Sequence, residues 1–226
     1  MPGQDPSFPD TQELPIFPLP NVVFFPRTVL PLHIFEPRYK QMVADALEGN
    51  RQIGMALLQP GWGSTQDESP KIFNTGGLGL ITQYEHLEEG RYNILLSGRH
   101  RFRIVEFIRE TPYRVARVKL LQEVMPSSQE MNEISTQLVL GFRELNEANT
   151  QPVLGADAIE KLDFPTLVNS VCSSLNFSVF DQQQLLEMNS VKARATTILG
   201  ILERQIARER VLSKFRHIQP DDPNVN

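Results

Sequence analysis

The sequence predicts an α+β fold, with about six β-segments and one helix followed by a helical half. Three observations predict it. Residues 13–39, "ELPIFPLPNVVFFPRTVLPLHIFEPRY", are as apolar as a membrane span yet carry six prolines. Residues 52–121 then run through short β-rich stretches separated by glycine and turn residues. From Pro126 onward the apolar residues fall at helical spacing instead.

The opening segment sets the class. A membrane helix needs about 20 apolar residues in unbroken register, and each interior proline removes a hydrogen bond and clashes with the preceding turn. Pro15, Pro18, Pro20, Pro26 and Pro31 recur too often for that. Short extended segments fit better, one with Leu14, Ile16, Phe17 and Leu19, the other with Val29, Leu30, Leu32 and Ile34. Proline inside a strand implies an edge, a bulge or a strand start, so the segment is expected at the irregular opening edge of a β-domain.

"EPRYKQMVADALEGN" predicts a short helix. Pro37 suits its first turn, Tyr39, Met42, Val43, Ala46 and Leu47 form an apolar stripe, and Gly49 ends it. "RQIGMALLQP" predicts a buried strand closed by the turn-like "PGWGSTQDESPK". "TGGLGLITQYEHLEEGRYNILLSGRHRFRIVEFIRE" predicts β-runs with turns at Glu89-Gly90 and Ser97-Gly98, and "YRVARVKLLQEV" predicts another strand by its alternation. Antiparallel strands in that number curl into a small barrel or a sandwich.

In the second half, Ser127 and Glu130 of "SSQE" fit a capping box ahead of Ile134, Leu138, Phe142 and Leu145. "DFPTLVNSVCSSL" predicts a second helix with Asp163 near its start, and "FDQQQLLEM" a third capped by Asp181 and Gln184. A long final helix is expected from Ser190, with Val191, Ala195, Ile198, Leu202, Ile206, Val211 and Phe215 buried. The expected organisation is a tail over 1–12, a strand subdomain over 13–125, a helical subdomain over 126–217 and a tail over 218–226.

Bulk properties narrow the function. A net charge of −5 predicts no global attraction to nucleic acid or to an anionic membrane. One cysteine, Cys172, excludes an intrachain disulfide and a multi-cysteine zinc site, and its apolar helical setting predicts an inert thiol. "MPGQDPSFPD" lacks the basic and apolar regions of a secretory signal, so the cytoplasm is the expected location. "GGLG" at Gly76–Gly79 lies in a β-run without a following helix, and no phosphate loop is visible. His33, His86, His100 and His217 fall in different elements, which predicts neither a metal nor any other cofactor. GxSxG is absent, so no nucleophile elbow is expected and an enzyme is disfavoured.

Two local features and a helix face invite a binding role. Arg99, Arg101 and Arg103 recur at period two and are expected on one strand face, as a solvated edge or a basic rim for a partner. Trp62, the only tryptophan, is expected either to tuck onto the strands or to anchor an apolar peptide. The final helix carries Arg204, Arg208, Arg210, Lys214 and Arg216 against Glu203 and Glu209, a solvated face or a docking site for an acidic partner.

"LPIFPLPNVVFFPRTVLPLHIFEPRY", "TGGLGLITQYEHLEEGRYNILLSGRHRFRI" and "DQQQLLEMNSVKARATTILGILE", in this order, resemble the N-terminal domain of ATP-dependent Lon proteases, also found in cereblon and in stand-alone Lon-domain proteins. The resemblance spans roughly residues 13–215. It implies a PUA-like antiparallel β-barrel, a helical bundle with a long final helix, and binding of unfolded or partner polypeptides in protein quality control. It carries over neither the ATPase module nor the Ser–Lys protease module of full Lon, nor the zinc-bound domain of cereblon. The expectation is a non-catalytic recognition domain whose apolar groove is rimmed by Phe24, Phe25, Tyr39 and Trp62. The alternatives are an adaptor docking through Arg204, Arg208 and Arg210, and an RNA reader, which the acidic balance opposes. Weak self-association is left open.

Overall fold

Strand β1 (Thr11–Leu19) is followed by β2 (Val29–Ile34), helix α1 (Pro37–Glu48), β3 (Gln52–Leu57), β4 (Thr75–His86), β5 (Tyr92–Arg109) and β6 (Arg114–Leu121). Among the described residues four helices follow: α2 (Ser128–Ala148), α3 (Phe164–Ser174), α4 (Val179–Glu187) and α5 (Val191–Arg216). The structure, a computed structural model, describes residues 10–60, 70–148, 159–174 and 177–216. The mixed α+β class is therefore as the sequence predicts.

The strands form one six-stranded sheet in the order β2-β5-β4-β3-β1-β6. A further β5–β6 ladder, Arg101 opposite Leu121 through Arg109 opposite Val115, links β5, β4, β3, β1 and β6 in a ring. β2 stands outside that ring, paired to the first part of β5 alone. The expected antiparallel barrel is corrected on two counts. It is not a simple closed barrel, and β1 pairs with β3 in parallel, Ile16 opposite Gly54. The parallel pair follows from the connection, since β2 and α1 lie between the two strands and make a crossover instead of a hairpin.

β1 is also not the edge that its prolines suggested. It pairs with β6 over Thr11–Ile16 and with β3 over Ile16–Leu19, so the two ladders overlap only at Ile16. Pro15 and Pro18 each keep one unpaired flank, where a missing N–H costs no ladder bond. β2 is the proline-bearing edge instead, with Pro31 opposite Leu95.

Alternation along the strands separates two cores. Leu14, Ile16, Ala56, Leu78, Phe102, Ala116 and Val118 form one cluster. Phe17, Phe24, Ile53, Met55, Ile81, Ile94 and Leu96 form the other, together with Tyr39, Met42, Val43 and Ala46 of α1. The α1 stripe is thus the buried face that its spacing predicts, with Pro37 in the first turn. The Glu89-Gly90 turn is present with φ of 59° and 68°. The turn expected at Ser97-Gly98 is not, because β5 runs straight through it; a Cβ on Gly98 would lie 2.2 Å from the Phe25 carbonyl oxygen, so this glycine serves a close backbone approach.

The chain divides into two compact units. Among the described residues, the first holds 10–123 and 177–189, so α4 groups with the strands; the second holds 124–174 and 190–216. Gln183 ties α4 to β4 by donating Nε2–H to the Thr75 carbonyl at 3.0 Å. Its cap differs from expectation. The helix starts earlier, and Ser178 accepts from the Asp181 backbone N–H at 3.1 Å while donating its hydroxyl to the Asp181 carboxylate at 2.6 Å. Ser178 offers the extended backbone that an N-cap needs, whereas Asp181 already lies within the helix.

In the second unit α2 and α5 pack together and α3 packs on both. Ile134, Leu138, Phe142 and Leu145 of α2 and Val191, Ala195, Ile198, Leu202 and Ile206 of α5 are buried. Val211, expected in that stripe, is exposed, while its neighbour Arg210 still bonds Glu144 of α2; the Phe215 side chain lies outside the described ones. Ser190 caps α5 by accepting from the Ala193 N–H at 3.1 Å. The Ser127–Glu130 capping box is formed, with the Glu130 carboxylate accepting the Ser127 N–H at 2.9 Å.

Lys192 first, and Ser127 second, hold the Glu130 carboxyl at about 2, below its ordinary 4.5. A depressed carboxylate contributes stability that is present above the unfolded value and is lost as pH falls through the folded one. Acid unfolding of Glu130→Gln is therefore expected to be less pH-dependent than that of the parent between pH 4.5 and about 2, a window set by those two values. Parallel pH titrations by circular dichroism check this. Coincident curves would count against it.

Candidate functional site

The last residues of β1 and of β2 converge beside the start of α1 and the β5–β6 connection. They enclose a groove of about 350 Å³. Phe17 and Tyr39 pack at its floor, ring centroids 4.1 Å apart and planes tilted by 37°. The Arg38 guanidinium lies 4.6 Å from the Tyr39 centroid and is held there by Glu36 at 2.9 Å. Cation over ring and carboxylate beside cation fix Arg38 along the groove wall.

Leu19, Leu32 and Phe35 continue the apolar lining. Phe35 is 62% exposed. It sits between the end of β2 and Pro37, where no strand or helix face exists to bury it. On the other wall the Tyr113 hydroxyl donates to Asp45 at 2.5 Å, and Arg109 lies 4.7 Å from the Tyr113 ring centre. Burial raises the Tyr113 phenol above its ordinary range, and the hydrogen bond to Asp45 adds to this. Burial likewise raises Tyr39 and lowers Arg114, while Glu110 acts electrostatically to keep Arg114 charged. Both tyrosines stay neutral near pH 7 and present ring faces.

The lining offers aromatic faces, aliphatic side chains and charged groups in balance, two carboxylates (Glu36, Glu110) against two guanidiniums (Arg38, Arg114). Such a surface suits non-covalent capture of uncharged apolar groups. Among the described residues no group of histidines, cysteines and carboxylates could hold a metal ion, and no helix is long and apolar enough to cross a membrane.

The sequence-predicted site residues scatter. Tyr39 lies in the groove floor. Phe24 and Phe25 do not rim it, being 3% and 0% exposed in the interior. Trp62 lies outside the described residues. Arg99 and Arg103 are exposed, but Arg101 is buried. A ladder irregularity between Leu78 and Gly79, next to Arg99, interrupts the alternation, and α4 covers Arg101, so the three do not form one basic rim. Arg204 and Arg208 are exposed, while Arg210 is bonded to Glu144. Sequence reasoning missed Phe17, Phe35, Arg38, Tyr113 and Arg114. The one visible signal was Phe35, an apolar residue stranded between a strand and a proline-started helix.

Residues 13–204 match the family model described as the ATP-dependent protease La (LON) substrate-binding domain. The chain is 28% identical to a Lon protease of Cytophaga hutchinsonii over 85% of its own length and 24% of that protein's. It is 31% identical to a Lon protease of Roseiflexus castenholzii over 91% of its length and 25% of that protein's. It spans about a quarter of the length of these curated relatives. Among solved structures it resembles a Lon N-terminal domain protein from Xanthomonas campestris, with a TM-score of 0.58, 19% identity, and coverage of 84% of this chain and 98% of that one. It also resembles the N-terminal domain of a Mycobacterium avium complex Lon protease, with a TM-score of 0.60, 17% identity, and coverage of 87% and 98%.

Proposed function

The chain belongs to the LON substrate-binding domain family, and from that premise we propose that it binds polypeptide segments in the groove between β1, β2 and α1, as a recognition module of Lon-type proteolysis. The ring-linked strands are read as the PUA-like barrel of that family. The observation that carries the proposal is the groove itself: a paired aromatic floor, an exposed Phe35 at the rim and charges in balance along the walls. Unfolded chains display the apolar side chains that folded proteins hide, so a neutral apolar groove selects for them. The chemistry asked of the domain is binding alone, without a covalent step.

The test is fluorescence anisotropy with a reduced, alkylated and hence permanently unfolded model protein, against the same protein in its native form. The unfolded form is expected to bind and the native form not. Phe35→Ala is expected to weaken binding by roughly tenfold, as exposed aromatic anchors do, while shifting stability by no more than about 0.5 kcal/mol. Reversing Arg204 and Arg208 to glutamate is the control and leaves affinity unchanged. Equal binding of native and unfolded forms, or no effect of Phe35→Ala, would refute the proposal.

A further inference from the structure

We propose that the groove holds its polypeptide by main-chain pairing, as an added β-strand along the open flanks of β2 and β1. The inference rests on the polypeptide-binding reading above and specifies how the segment is gripped.

The ladders leave an opening. β2 pairs only with β5, and beyond Ile16 β1 pairs only with β3, so β2 and the end of β1 each keep one unpaired flank among the described residues. Both flanks border the groove, β1 through the consecutive Ile16–Pro20 and β2 through Leu32 and His33. Consecutive residues along a wall mean that backbone, and not only one side-chain face, meets the groove.

Hydrogen bonds already made fix which groups face out. The Leu19 carbonyl accepts from Leu58 at 3.0 Å, on the β3 side, so strand alternation turns the Pro18 carbonyl the other way. The Thr28 carbonyl accepts from Gly98 at 2.8 Å, on the β5 side, so with the register Val29 opposite Ser97 the carbonyls of Val29, Pro31 and His33 point outward. Pro18 and Pro31 have no N–H to offer there. The two flanks are therefore richer in acceptors than in donors. Prolines also blunt such edges against pairing with copies of the same chain.

Complementarity then names the occupant. Outward carbonyls carry partial negative charge and need N–H donors, while the groove's two carboxylates and two guanidiniums cancel. The fitting partner is an extended, uncharged segment of a polypeptide that supplies backbone N–H groups to the flanks and places alternate apolar side chains over Phe17, Tyr39 and Phe35. Affinity from main-chain bonds is indifferent to side-chain identity, which suits a module that meets many chains.

The test uses the whole chain and a fluorescent nine-residue peptide of alternating valine, phenylalanine and threonine. Two analogues replace backbone N–H by ester oxygen, one at odd and one at even positions, leaving every side chain in place. Loss of two or three hydrogen bonds is expected to weaken at least one analogue by about tenfold or more; loss in both supports engagement of both flanks. If both esters bind as tightly as the parent while Phe35→Ala still weakens all three, the groove reading stands and strand addition is overturned. If the parent peptide does not bind at all, the groove reading fails, and strand addition with it.

Discussion

Arg101→Ala is expected to destabilise the strand unit by about 3–5 kcal/mol, because it leaves buried acceptors without a donor. Arg101 is 1% exposed. Its guanidinium donates to the Leu186 carbonyl at 2.9 Å, the Gln122 carbonyl at 3.2 Å and the Asn189 side-chain oxygen at 3.1 Å, with Glu123 at 3.7 Å. One side chain on β5 thus clamps the end of α4 and the stretch after β6. For a chain of this size the loss corresponds to a drop in Tm of about 10 °C. Arg101→Lys keeps the charge but lacks the planar fork, and is expected to recover less than half of the loss. Hydrogen exchange locates the effect: protection in Val179–Glu187 should collapse first. Unchanged exchange there, or a Tm within 2 °C of the parent, would dismiss the clamp.

This residue also marks where the sequence stopped being legible. The strands, α1 and the Ser127–Glu130 box were readable because each is written locally, in alternation, a stripe or a cap. Arg101 looked like a surface arginine in an alternating strand. Its burial depends on Leu186, 85 residues later, and no local pattern encodes that. The parallel β1–β3 pair was hidden for a related reason: proline spacing says that a strand needs an open flank, but not that two staggered ladders can supply one on each side. Of the aromatic residues expected at a groove, Tyr39 lines this one and Phe24 and Phe25 lie in the interior. Apolar content marks all three alike, and only the path of the chain decides which of them lines the groove. The family resemblance was readable early because proline and glycine positions record backbone geometry directly.

Gly77→Ala is the second large effect, and its sign follows from backbone alone. A Cβ on Gly77 would lie 1.9 Å from the Phe24 carbonyl oxygen, a distance no real contact tolerates. Neither side can yield. Gly77 is held between Met55 and Arg101 in two ladders, so a retreat of β4 would strain both. Phe24 cannot lift away, since its ring packs at Gly79, its neighbour's carbonyl sits at Gly98, and Pro26 follows immediately. The substitution is expected to cost about 3 kcal/mol or more, at the upper end of overpacking, or to leave the protein insoluble. Gly141→Ala in α2 is the matched control. There the new Cβ meets Leu202 at an ordinary 3.6 Å, and replacing a helical glycine stabilises by about 0.5–1 kcal/mol. The same chemical change should therefore move Tm in opposite directions at the two positions. If thermal unfolding shows both variants moving together, or Gly77→Ala melting within 2 °C of the parent, then the proline-stiffened stretch from Asn21 to Thr28 does not lie against β4 as described, and the interior that supports the groove floor is built differently.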